Sequence, residues 1–263
     1  MSHARLMRMA ALAGVLTAAV TAGMSGSAQA AEVQVAVAAN FAGPLARIAL
    51  AYTAATGHTV KVSVGATGKF YAQIVAGAPF EVLLAADDET PARLAQEGLA
   101  VAGSNFTYAI GKLALWSAQP GVVDAQGAVL TTGPFSHLAI ANPKIAPYGQ
   151  AAVEVLKARG LMTALAPKIV TAESIAQAYQ FVVTGNAELG FVALSQLLVP
   201  GKPAGGSYWL VPPALYGEIR QDAVLLKAGA ANPAASALLA WLKTEPAKAL
   251  IQVYGYGHAS PAK

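Results

Sequence analysis

Apolar positions along this chain switch between two periods. Val33, Val35 and Val37 alternate with other residues over Glu32–Ala38, which predicts a strand. Leu45, Ile48, Ala49 and Tyr52 then recur at the three- and four-residue steps of a helix that stops at Gly57, with Pro44 well placed at its start. The pair repeats at once: Val60, Val62 and Val64 alternate, and Phe70 and Ile74 give the helical step of a segment running from Lys69 to Val75. Val82–Ala86 predicts a third strand, ending in Asp87-Asp88 and followed by a helix from Pro91 to Gly98. Such alternation predicts an α/β fold with a largely parallel sheet.

The theme resumes further on. Phe106–Trp116 reads as another strand, and Ala118–Gly133, rich in small and turn residues, follows it where the chain is expected to cross to a second lobe. His137–Ala141 predicts a strand, Gln150–Arg159 a helix ended by Gly160, and Ile169-Val170 a short strand. Ser174 opens a helix with the stripe Ile175, Ala178, Tyr179 and Val182, and Leu189–Leu194 is a strand entering Ser195. Tyr208–Leu210, Val211-Pro212-Pro213 and Ala223–Leu226 read as a return across the hinge. Helices over Ala234–Leu242 and Pro246–Val253 are expected to pack on the first lobe, with Tyr254-Gly255-Tyr256-Gly257 as a plain helix stop.

Composition changes this picture in one place. The 263 residues are 56% hydrophobic and 11% charged, against roughly 25% charged in an average soluble domain, and the mean hydropathy is +0.50. Beyond the N-terminus, however, no uninterrupted apolar run reaches the roughly 18 residues of a spanning helix. The richest late stretch, Ala228–Leu242, is broken by Asn232 and Pro233. Residues 1–30 differ in kind: Arg5 and Arg8 precede an apolar Met9–Met24, and Ala28-Gln29-Ala30 fits a small-residue cleavage site. This predicts an exported protein, cleaved after Ala30 and released most simply into a periplasm. Cleavage leaves 15 basic against 13 acidic residues, a balance that gives no argument for nucleic acid. Cysteine is absent, which excludes a disulfide framework and a lipid-anchored cysteine.

The chemistry is concentrated in strand-to-helix turns. In Ser63-Val64-Gly65-Ala66-Thr67-Gly68-Lys69 the glycines allow a tight bend and close approach to a ligand. The new helix aims its free N–H groups, with the Thr67 hydroxyl, at one point. Gly68-Lys69 invites a phosphate-loop reading, but only two residues separate Gly65 from Gly68 and Phe70 follows the lysine, so the spacing fails. An ordinary strand-to-helix turn remains the plain alternative for this stretch alone. Asn40 sits in the first such turn, where its amide serves equally as a helix cap or a ligand donor. Asp87-Asp88 fit a favourable helix start better than a metal or catalytic pair. No Gly-x-Ser-x-Gly elbow occurs, and His58, His137 and His258 are isolated, His58 reading as an exposed turn residue beside Gly57. Asn40, Thr67, Tyr148 in its Pro-Tyr-Gly turn and Ile175 just inside a helix start are all neutral donors at junctions of this kind. Two lobes closing would bring them around one tetrahedral oxyanion, its charge offset by hydrogen bonds and helix dipoles.

Read together, Ala38-Ala39-Asn40, Gly65-Ala66-Thr67-Gly68-Lys69 with Gln73-Ile74, Ala76-Gly77-Ala78-Pro79 and Ala86-Asp87 resemble the periplasmic molybdate-binding proteins of ABC transporters. Asn142-Pro143 before Pro147-Tyr148-Gly149, Ala172-Glu173 before Ile175, and Leu189-Gly190-Phe191-Val192 continue the likeness over the whole mature chain. The resemblance implies a two-lobed type II periplasmic-binding-protein fold, each lobe a mixed, mostly parallel sheet flanked by helices. After the signal peptide at 1–30, residues 31–110 and 219–263 would form the first lobe and 111–218 the second. It also implies binding of molybdate or tungstate by Asn40, Thr67, Tyr148 and Ile175 (the last through its backbone N–H), with Phe41 and Gly68 as extra backbone donors. Molybdenum would enter only as its oxyanion, with no direct protein ligand and no cofactor. The partner would be the membrane permease of an ABC importer, and the protein a monomer without enzymatic activity. Sulfate or phosphate on the same fold is the alternative ligand. Three departures stand out: Ala193 where some members carry a ligand tyrosine, Asn40 and Thr67 where many have serine, and Glu81 where relatives have Asp, read as structural.

Overall fold

A computed structural model describes residues 30–258; apart from Ala30, the expected signal segment lies outside them. The first part of the chain runs β1 (Glu32–Ala38), α1 (Ala42–Thr56), β2 (Thr59–Gly65), α2 (Thr67–Val75), β3 (Val82–Leu84), α3 (Glu89–Gln96) and β4 (Phe106–Gly111). Next come β5 (Leu113–Ser117), α4 (Val129–Thr132), β6 (Leu138–Ala141), α5 (Pro147–Ala158), α6 (Met162–Leu165), β7 (Ile169–Ala172), α7 (Ile175–Val183), β8 (Leu189–Ala193), α8 (Leu194–Leu197) and β9 (Ser207–Leu210). The chain then returns through β10 (Ile219–Leu225) and ends in α9 (Pro233–Leu242) and α10 (Glu245–Gln252).

Two five-stranded sheets result, ordered β2-β1-β3-β10-β4 and β7-β6-β8-β5-β9. In the first, β1 pairs in parallel with β2 and β3, while β10 lies antiparallel to both β3 and β4. In the second, β6 pairs in parallel with β7 and β8, while β5 lies antiparallel to β8 and β9. Four strands of each sheet therefore point one way and a single strand runs against them. Each sheet carries one lobe, and the α/β architecture expected from the alternating pattern is present. In both lobes helix starts gather at the carboxyl ends of parallel strands, the place where open α/β sheets hold ligands.

The cores follow the helical stripes. Leu45, Ile48 and Tyr52 of α1 are fully buried with Val33, Val35 and Val37 of β1, and Leu238 of α9 joins them. Gly57, at a φ of 76°, closes α1 in the left-handed conformation that glycine adopts at little cost. The second lobe's apolar cluster runs from Leu113 and Phe191 to Val155 and Ile175, and takes in Ala38, Ala39, Ala66 and Ala86 of the first lobe. Small side chains at those four positions let the two lobes meet closely.

Several expectations need correction. Phe106–Trp116 is not one strand: β4 and β5 belong to different sheets, with only Lys112 between them. The chain thus leaves the first sheet at Lys112, and Ala118–Gly133 lies within the second lobe rather than at a crossing. Helix α5 begins at Pro147, three residues before the expected Gln150, which puts Tyr148 inside its first turn. His58 is not exposed but 7% accessible, its Nδ1 accepting the Ala31 N–H at 3.1 Å. Val62 and Val64 alternate as a strand should, yet lie 39% and 53% exposed because β2 is a sheet edge.

Candidate functional site

Three helix starts converge where the lobes meet. Helix α2 starts at Thr67, α5 at Pro147 and α7 at Ile175, and the first N–H groups of each have no partner within their own helix. A fourth junction, the 3-10 turn Ala39–Phe41 between β1 and α1, brings in Asn40. Asn40, Thr67, Tyr148 and Ile175 line one cavity together with Ala38, Gly65 and Ala146, and no charged side chain is among its lining residues. Its room is small, ≈ 10 Å³ for the centre of a water-sized group, against ≈ 540 Å³ in the open cleft beside it. That neighbouring cleft is lined by charge, including Asp87, Glu154, Glu218, Lys144 and Arg220. All four cavity residues are buried, at 1–4% accessibility.

Hydrogen bonds fix what each group has left to offer. Thr67 Oγ1 accepts the Ala86 N–H at 3.0 Å, so its own proton remains available. Tyr148 Oη accepts a hydrogen bond from Gln221 Nε2 at 3.0 Å, which again leaves the phenolic proton to give. Ser174 caps α7 by accepting the Gln177 N–H at 3.3 Å, and Gln196 Nε2 donates to the Ile175 carbonyl at 3.2 Å. The Ile175 N–H, in the first turn of α7, stays unpaired within the helix. Asn40 behaves differently: its Nδ2 donates to Gln221 Oε1 at 2.8 Å and to Tyr256 Oη at 2.9 Å. Both amide protons are thereby used inside the protein, and the donor Asn40 can offer the cavity is its backbone N–H.

The two additional backbone donors are not among the cavity lining. Gly68 N–H is donated across the cleft to the Ile145 carbonyl at 2.9 Å, so this expected donor is already committed. Phe41 lies fully buried, its ring edge-on to Tyr108 and Tyr256 at centroid distances of 4.7 and 5.5 Å. Outside the cavity, Lys69 of α2 pairs with Glu173 at the entrance to α7, an exposed ion pair that spans the lobes. Asp87 accepts the Thr90 N–H at 2.8 Å and so serves the start of α3. Burial holds its carboxyl above the usual range. Glu81 bridges Gln34 N–H and Asn232 Nδ2, both at 2.8 Å, a structural use.

Around the cavity lies a buried polar network that the sequence pattern did not reveal. Gln221, fully buried on β10, joins Asn40 to Tyr148, and its Oε1 also accepts from Tyr108 Oη at 3.1 Å. Tyr256, far from the plain helix stop expected of it, donates to the Asn40 carbonyl at 2.9 Å and contacts Ser195 Oγ at 3.0 Å. Ser195 Oγ donates to the same carbonyl at 2.9 Å. Burial raises the Tyr108, Tyr148 and Tyr256 hydroxyls well above the normal phenol range, so all three are protonated donors at neutral pH. Only the serine entering from the Leu189–Leu194 strand and the aromatic tail hinted at these partners. Their separations of 61 to 216 residues put them beyond any local signal.

The arrangement suits an anion without protons to give. Neutral N–H and O–H groups converge from both lobes, three helix starts add their partial positive charge, and no acceptor-only side chain lines the space. Known proteins resemble the chain over nearly its whole length. Residues 33–257 match the family model described as bacterial extracellular solute-binding protein. The chain is 62% identical over 231 residues to the molybdate-binding protein ModA of Azotobacter vinelandii, covering 88% of this chain and 92% of that protein. It is 54% identical over 244 residues to the ModA of Rhodobacter capsulatus, covering 93% and 95%. A solved periplasmic molybdate-binding protein of Azotobacter vinelandii superposes with a TM-score of 0.85 at 44% identity, over 87% of this chain and all of that one. With its fold, its cavity between the lobes and relatives that match nearly end to end, the chain belongs to the bacterial extracellular solute-binding proteins, among the relatives of ModA.

Proposed function

We propose that this protein captures molybdate, and tungstate alongside it, between its two lobes and delivers the anion to the membrane permease of an ABC importer. The observation that carries the proposal is the meeting of Asn40, Thr67, Tyr148 and Ile175, drawn from both lobes, at one buried cavity with no charged lining. Relatives 62% and 54% identical that are named for molybdate support the choice of anion.

The Thr67 hydroxyl and the Asn40 N–H meet the anion first, on the lobe formed by 31–110 and 219–263. Closure of the 111–218 lobe then adds the Tyr148 hydroxyl and the Ile175 N–H. The ligand contacts both lobes only when they are closed, so binding draws the population toward the closed form. That closed form is what the permease would read. A nanomolar affinity corresponds to about −12 kcal/mol, within reach of a desolvated dianion held by several charge-assisted hydrogen bonds. The protein contributes binding and no chemistry. It works as a monomer in the periplasm after cleavage behind Ala30.

Isothermal titration of residues 31–263 with molybdate, tungstate, sulfate and phosphate tests this reading. Tight one-to-one binding of the first two with silence from the others is expected. Sulfate or phosphate binding tighter than molybdate would replace the ligand and keep the fold.

A further inference from the structure

The polar network around the cavity has a direction, and the triangle at its far end sets it. Tyr256 Oη, Ser195 Oγ and the Asn40 carbonyl oxygen form a triangle with sides of 2.9, 2.9 and 3.0 Å. The carbonyl can only accept, so the two hydroxyl protons are both consumed within the triangle. Towards the Asn40 side chain, Tyr256 Oη is then left with lone pairs alone. Asn40 must therefore turn its NH₂ to Tyr256, and the second proton of that NH₂ reaches Gln221 at 2.8 Å. Gln221 answers with Oε1, which also lies 3.1 Å from Tyr108 Oη, a hydroxyl that shares its one proton with the Ala85 carbonyl at 2.9 Å, and its Nε2 faces Tyr148 at 3.0 Å. Tyr148 can only accept from that amide, and its phenolic proton is turned away from Gln221.

We propose that Gln221 is a positioning residue that sets the polarity of the Tyr148 hydroxyl, so that the phenol donates into the cavity. Gln221 stands on β10 in the first sheet, whereas Tyr148 stands on α5 over the second. The amide thus reaches the phenol from one lobe to the other. Gln221 does not line the cavity and acts through Tyr148. The same direction makes the site prefer an anion that carries no proton, since a ligand O–H pointing at Tyr148 would face another O–H. This inference rests on the oxyanion reading given above.

A double-mutant cycle, read by titration with tungstate, separates positioning from general damage. Gln221→Met is expected to weaken tungstate binding about tenfold to a hundredfold, the range for losing one hydrogen bond to a charged group. In a Tyr148→Phe background the same substitution should change binding by less than about threefold, because the hydroxyl it orients is gone. Equal losses in both backgrounds would overturn the proposal, as would an unweakened Gln221→Met. A thermal melt of each ligand-free variant reports folding independently. Neutron diffraction of the unaltered protein with bound tungstate needs no variant to fold. The deuteron on Tyr148 should point at the anion and the Gln221 Nε2 deuterons at the phenol. A Tyr148 deuteron directed at Gln221 overturns the proposal. Failure of the unaltered protein to bind tungstate would instead count against the oxyanion reading on which it rests.

Discussion

Both sheets set three parallel strands beside one reversed strand and a fifth strand beyond it, yet the two lobes equip the cavity by different means. In the first lobe the Asn40 junction rests on polar side chains packed in depth: Asn40, Gln221, Tyr108 and Tyr256 are joined by hydrogen bonds out of water. In the second lobe Tyr148 and Ile175 sit on the first turns of α5 and α7 over an apolar cluster. Polarity in one lobe and helix placement in the other therefore do the same job. A buried polar network holds a donor's orientation but leaves costly unpaired groups if one member is lost. A helix start depends on backbone packing and is most easily harmed by volume.

That contrast can be broken from the packing side first. Gly149, in the first turn of α5, has no room for a Cβ, which would run into the Ala141 carbonyl of β6. Gly149→Ala should destabilise the protein by about 3 kcal/mol, the upper end of overpacking costs, measured by denaturant unfolding. Next comes the phenol itself: Tyr148→Phe should cost about 1–3 kcal/mol of oxyanion binding by calorimetry, and an unchanged affinity would remove Tyr148 from the site. At Gly68 a Cβ would stand 2.9 Å from Ile145 Cα, across the cleft rather than within a lobe. Gly68→Ala should therefore weaken binding about tenfold through impaired closure, while the melting temperature of the ligand-free protein holds.

The polar lobe should also answer to pH. Asp222, buried beside Gln221, has Oδ1 without a partner among the described residues, and burial raises its carboxyl above the usual value. Because the folded-state value is raised, the stability this group contributes is complete at low pH and is lost as pH rises through that value. Asp222→Asn removes the dependence. Its melting temperature relative to the unaltered protein should be higher at pH 7 than at pH 4. Smallest of all is the exposed pair across the lobes. Lys69→Met or Glu173→Gln should change binding by only about 0.2–1 kcal/mol, as solvent-exposed ion pairs do, and less in high salt.

Much of this was legible in the chain for a physical reason. Strand and helix periods, the Gly65–Gly68 turn and the Ser174 start are local, and each local signal was enough to bring Thr67 and Ile175 into view. The network was not legible, because Gln221 lies in an ordinary strand and Tyr256 in a tail whose glycines read as a stop. Their partners are 181 and 216 residues away. Lys112 alone marks the passage between sheets, so β4 and β5 ran together as one apolar segment. His58 looked exposed beside a turn glycine, and only the fold shows Ala31, just ahead of β1, hydrogen-bonded to it.

The most direct measurement is the anomalous scattering of tungsten from crystals grown with tungstate. One strong peak is expected within hydrogen-bond reach of Thr67 Oγ1, Tyr148 Oη and the backbone N–H groups of Asn40 and Ile175. A principal peak in the charged cleft, near Lys144 and Arg220, would contradict it.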